Sequence, residues 1–209
     1  MPHIILLGDS IFDNAAYVAG GPAVVDQVRQ NLPSGWQATL LAVDGDTAAG
    51  ALRQLQRLPV DATHLVLSVG GNDALNCLPQ LDAPASNLKQ GLAKLSRLKS
   101  EFKISYQMLI KDLLGLSRPL LVCTIYDHVP GLPPELVTAL GVFNDVILRE
   151  AMRHRLPVLD LRMICTEHSD YSVVSPIEPS SQGGEKIASR IVSAIVQHDA
   201  SATCCHVYQ

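Results

Sequence analysis

A serine hydroxyl at residue 10, an asparagine amide at residue 72 and a carboxylate at residue 178 stand in the settings most suited to chemistry. Ser10 closes the triplet Gly8-Asp9-Ser10, directly after the apolar run His3-Ile4-Ile5-Leu6-Leu7. Such a run reads as a buried strand, and ligands of open α/β sheets bind just outside the carboxyl ends of strands. The hydroxyl is thus delivered to a place where chemistry happens, although Asp and Ser also cap helices. Two later breaks repeat the arrangement: Val43-Asp44-Gly45-Asp46 and Ser68-Val69-Gly70-Gly71-Asn72-Asp73 each follow an apolar run. Gly70-Gly71-Asn72-Asp73 is also ordinary turn chemistry, so a plain turn is the competing reading for Asn72.

Taken together, the three breaks resemble the first three sequence blocks of the SGNH (GDSL) hydrolases, over a stretch from Ile4 to about Ile195. The resemblance implies that Ser10 is a nucleophile. It also implies an oxyanion hole made of the Ser10 N–H, the Gly45 N–H and the Asn72 side chain. For the fold it implies a three-layer α/β/α sandwich around a five-stranded parallel sheet in the flavodoxin-like order 2-1-3-4-5. The last block departs from the pattern: where the family has Asp-x-x-His, this chain has Ser175-Pro176-Ile177-Glu178. The usual histidine base is replaced by a glutamate.

Acyl transfer by a serine needs a base to take the hydroxyl proton and return it to the leaving group. An ordinary glutamate, with a pKa of about 4.3, is a weak base for this task unless burial or a nearby carboxylate raises it. Asp9 and Asp170 are candidates for such neighbours. Glu178 also precedes a helix, where an exposed acid is stabilised by the dipole alone. His128, after the fourth strand, and His168, after the fifth, are alternative bases, since triads are defined by geometry rather than chain order. His3 and His64 begin strands at the opposite end of the sheet, while His154 and His198 fall on helices. Asp9 and Arg53 are candidate substrate-binding residues; Arg53 would hold a carboxylate-bearing substrate or simply stay solvated.

The elements that must position these groups alternate along the chain. Strands are read at 3–8, 36–43, 63–69, 119–125 and 157–161. Helices are read from Gly21-Pro22 to Leu32, Ala48 to Leu58, Asn87 to Leu116, Pro133 to His154 and Ser181 to about His198. In the long helix Leu88, Leu92, Leu95, Leu98, Phe102, Tyr106, Leu109 and Leu113 recur every three or four residues. Strand–helix alternation of this kind predicts a parallel sheet covered on both faces.

With 209 residues, 47% hydrophobic and 17% charged, the chain suits one domain over 1–198, followed by a flexible tail at 199–209. A net charge of -4 gives no basic footprint for nucleic acid. No secretory signal and no membrane span are read, so a cytoplasmic location is expected. Cys77, Cys123 and Cys165 are dispersed without metal-ligand spacing, and no cofactor is expected. The expected partner is a small ester, with short acyl chains favoured because no large apolar lid is visible in the sequence. The alternative is a hydrolase-fold protein that has lost turnover and binds a small ester, acid or glycan.

Overall fold

The computed structural model describes residues 1–197 and 205–209. In chain order it runs β1 (His3–Gly8), α1 (Val24–Asn31), β2 (Gln37–Leu40), α2 (Ala48–Gln54), β3 (His64–Ser68), α3 (Gly71–Leu75), α4 (Leu78–Leu81) and α5 (Leu88–Gly115). It continues β4 (Leu120–Cys123), α6 (Pro134–His154), β5 (Val158–Leu159), α7 (Leu161–Ile164), α8 (Ser181–Gln197) and β6 (Val207–Tyr208). The strands form one parallel sheet ordered β2-β1-β3-β4-β5-β6. The order expected for the first five strands is the observed one.

β1 sits between β2 and β3, with Leu6 opposite Leu40 and Val66, and every one of its residues is buried. Side chains alternate across a strand, so Ile4 and Leu6 face one helical layer and Ile5 and Leu7 the other. The first layer is α1 and α8, through Val24, Val28, Ile187 and Ile191. The second is α2, α5 and α6, through Ala51, Phe102, Leu109, Phe143 and Ile147. A continuous apolar run is what a strand covered on both faces requires.

The structure differs from expectation at several element ends. α1 begins at Val24, because Asn14 Oδ1 accepts the Val24 N–H (2.9 Å) while Ala23 stays extended. In α5, Leu98, Phe102, Tyr106, Leu109 and Leu113 are buried, yet Leu88 and Leu92 are exposed. A helix of this length spans about 42 Å, and it overruns strands only about 17 Å long. The expected tail also needs correction. Val207–Tyr208 add a sixth strand beside β5, where the Val158 N–H donates to His206 O (2.7 Å) and the Asp160 N–H to Tyr208 O (3.0 Å). An unpaired edge leaves backbone donors and acceptors that a returning segment can satisfy. The remainder of the expected tail, 199–204, and the final residue of the expected last helix, His198, lie outside the described residues.

Candidate active site

Ser10 is aimed by the turn that ends β1. Gly8 has φ +129°, and a Cβ there would lie 1.7 Å from Ser68 O, so only glycine fits so close to β3. The Asp9 N–H donates to Ser68 O at 3.1 Å, while the Phe12 and Asp13 N–H groups both return to Asp9 O at 3.1 Å. Gln54, almost fully buried at the end of α2, clamps both backbone groups of Gly8. Its Oε1 accepts the Gly8 N–H (2.9 Å) and its Nε2 donates to Gly8 O (2.7 Å) and to Asp46 Oδ2 (2.8 Å). The strand end is thereby locked to the loop that follows β2.

That loop lies against the first turn. The Val43 N–H donates to Gly8 O (3.1 Å) and the Asp44 N–H to Asp13 Oδ2 (2.9 Å). Gly45 adopts φ +79° and is exposed; it is not among the residues lining the cavity described below. The third turn joins the second through side chains. Asn72 Nδ2 donates to Asp46 O (3.0 Å), and Asp73 Oδ2 accepts the Ala48 N–H (2.9 Å) at the start of α2. One amide hydrogen of Asn72 is therefore committed to the loop, leaving the second to serve a ligand. Ser10 and Asn72 line the same cavity.

Glu178 reaches Ser10 from a loop that crosses the other side of the site. The Glu178 N–H donates to Ser175 O (3.0 Å) and its carbonyl accepts the Ser172 N–H (2.8 Å). Its neighbours are anchored as well: Tyr126 Oη donates to Ile177 O (2.6 Å) and Asn14 Nδ2 to Pro179 O (3.1 Å). Ser172 Oγ ties the loop to Tyr17 O at 2.5 Å. Glu178 is 5% exposed, and among the described residues its Oε2 has no hydrogen-bond partner. Burial pushes its carboxyl above the usual range; hydrogen bonding from Ser10 pulls it partly back, and the charge of Asp44 raises it further. A carboxylate held up in this way is a better proton acceptor than a solvated one.

Asp9 is the second buried acid. Burial pushes its pKa up to about 8, the Ile11 N–H on Oδ1 (3.1 Å) restrains the shift, and repulsion from Glu178 and Asp73 adds to it. The shift favours the protonated form of Asp9. Asp9 lines the cavity.

The other candidates are placed elsewhere. His128 is half exposed, and its Nδ1 lies 3.0 Å from Asp127 Oδ1. His168 stands exposed on the 3-10 turn His168–Asp170. Neither histidine lines the cavity. Arg53 is exposed on α2, where its Nη2 pairs with Asp46 Oδ1 at 3.2 Å, and it too is absent from the lining. Asp170 is fully buried but is bound to Lys186 Nζ at 2.7 Å, and it is not among the groups that shift Glu178. His3 and His64 sit at the opposite end of the strands, His3 beside Asp61 (3.2 Å) and His64 stacked on Trp36 (5.5 Å).

From Ser10 a cavity of about 180 Å³ extends between α3, α4, the loop after β4 and the start of α6. Beyond Ser10, Asp9, Asn72 and Glu178 its wall is almost wholly aliphatic and aromatic, with Leu75, Leu78, Leu136, Leu140 and Phe143 prominent. These residues and the Gln54 clamp were not anticipated from the sequence. The recurrence of leucine at 75, 78 and 81, and again at 132, 136 and 140, was the available signal for the cavity wall.

The GDSL-like lipase/acylhydrolase family matches residues 6–185. No curated protein matches the sequence. Among solved structures, a lipase from a goat rumen metagenome is similar at TM-score 0.73 and 16% identity, over 93% of this chain and 97% of that one. A lipolytic G-D-S-L protein from Veillonella parvula gives TM-score 0.70 and 15% identity, over 95% and 100% of the two chains. An acetyl xylan esterase gives TM-score 0.69 and 17% identity, over 92% and 99%.

Proposed function

Given that this chain belongs to the GDSL-like lipase/acylhydrolase family, we propose that it hydrolyses carboxylic esters through an acyl-enzyme on Ser10, with Glu178 as the base. The single observation that carries this reading is that Ser10, Asn72 and the buried carboxyl group of Glu178 line one cavity.

In the first half-reaction Ser10 Oγ attacks the carbonyl carbon as its proton passes to Glu178. The free amide hydrogen of Asn72, with the Ser10 N–H, holds the oxygen that becomes negative. The carbon–oxygen bond to the alcohol then breaks, and protonated Glu178 gives its proton to the departing oxygen. In the second half-reaction a water attacks the acyl carbon, its proton goes to Glu178, and Ser10 leaves with that proton as the acid is released. Each step needs Glu178 charged at the start and neutral in the middle. A raised carboxyl narrows the gap between those two states.

The family and the fold agree with hydrolase chemistry, while the base is this chain's own. The test is hydrolysis of p-nitrophenyl acetate by the protein beside Ser10→Ala. The expected outcome is a loss of about three decades or more in the variant; equal rates would refute the nucleophile.

A further inference from the structure

We propose that the cavity beside Ser10 is an acyl-chain site that selects linear acyl groups of about six to eight carbons rather than acetyl. This inference rests on the ester-hydrolase reading and names its substrate class.

An ester has two arms, and the surroundings of Ser10 differ between two directions. One direction enters the cavity, where Ala74, Leu78, Ile125, Leu136, Ala139 and Phe143 offer carbon surface and no charge. The other faces the exposed Asp44, whose carboxylate acts on Glu178 and accepts a hydrogen bond from Tyr17 Oη at 2.6 Å. Glu178 must reach the departing oxygen, so the alcohol leaves on this polar, open side. The acyl group, which stays on Ser10 until water arrives, then occupies the apolar side.

Size sets the length. An apolar protein cavity of about 150 Å³ takes up benzene, a six-carbon molecule. The 180 Å³ beside Ser10 therefore holds about six to eight chain carbons. An acetyl group would leave most of that carbon surface without a partner. Burial of each methylene is worth about fourfold in kcat/KM when the contact persists in the transition state.

The test compares p-nitrophenyl esters from acetate to dodecanoate with a series of n-alkyl acetates of matching length. The expected result is a rise in kcat/KM of about fourfold per methylene up to hexanoate or octanoate, then a fall. The n-alkyl acetates should show no such rise. Leu136→Trp, which fills the wall, should cut the octanoate-to-acetate ratio tenfold or more, and Leu78→Ala should move the optimum to longer chains. Labelling of Ser10 by a fluorophosphonate verifies that each variant is folded. Acetate as the best substrate, or a rise confined to the alcohol series, would overturn the acyl site while leaving ester hydrolysis standing. Absence of turnover with every ester would overturn both.

Discussion

Two halves of the site are built by different means. The strand-end turns that carry Ser10 and Asn72 are determined by the sheet itself. Gly8 cannot bear a side chain against Ser68 O, and Gln54 and Asn72 cross-link the three turns through their backbones. The loop that carries Glu178 is held by other side-chain ties: Tyr126 and Asn14 donate to its Ile177 and Pro179 carbonyls, and its own Ser172 hydroxyl donates to Tyr17 O. None of those ties depends on which side chain occupies position 178. Ser10 and Asn72, the proposed nucleophile and oxyanion donor, are therefore constrained by the architecture, whereas the proposed base at position 178 can change identity at little structural cost.

Substitutions on each side sharpen that contrast. The largest effect is expected at Glu178: Glu178→Gln keeps the shape and removes the proton acceptor, so kcat/KM should fall by about two to four decades. The thermal midpoint should hardly move, and a loss of activity matched by unfolding would erase the distinction between the halves. Asn72→Ala should cost about two to three decades in kcat by removing an oxyanion donor. It should also lower the midpoint, because the bond to Asp46 O goes with it. Activity lost without any change in the midpoint would show that the turn does not need this link.

A further effect is thermodynamic and belongs to Asp9. Its pKa is 3.8 when unfolded and about 8 when buried, so between those values the folded state holds a proton that the unfolded state has released. Stability from this group is therefore present below about pH 4 and declines as pH rises toward 8, by up to about 1.4 kcal/mol per unit. Asp9→Asn keeps an oxygen for the Ile11 N–H and cannot ionise. Denaturant titrations at pH 5 and pH 8 should show the wild type losing stability across the interval and the variant losing less. Equal slopes would mean that Asp9 is ionised in the folded protein throughout.

The same contrast explains what could be read from the sequence. β1, β2 and β3 announce themselves as apolar runs followed by small-residue breaks, and the parallel order follows from strand–helix alternation. The leucine and aromatic spacing of α5 is long enough to mark a helix, though not to show that its first turns overrun the sheet. α3 and α4 are each about one turn long, so the leucine recurrence at 75, 78 and 81 is the trace of the cavity wall that they leave in the sequence. β6 has only Val207 and Tyr208, which pair because β5 would otherwise be an open edge. Arg53, His128 and His168 lie on the elements expected of them, but their rings and guanidinium turn toward Asp46, Asp127 or solvent. Side-chain direction on an exposed element leaves no trace in spacing. Gln54 was invisible for the opposite reason: a buried glutamine looks like a surface residue until the backbone it satisfies is in place.

The pairing of Ser10 with Glu178 is tested most directly by the rate of covalent labelling with a fluorophosphonate, followed by intact mass across pH in the wild type and in Glu178→Gln. One adduct at Ser10 is expected, forming faster as pH rises through a carboxyl pKa displaced above the usual glutamate range, and at least two decades more slowly in the variant. Labelling at another residue, or equal pH-independent rates in both proteins, would contradict it.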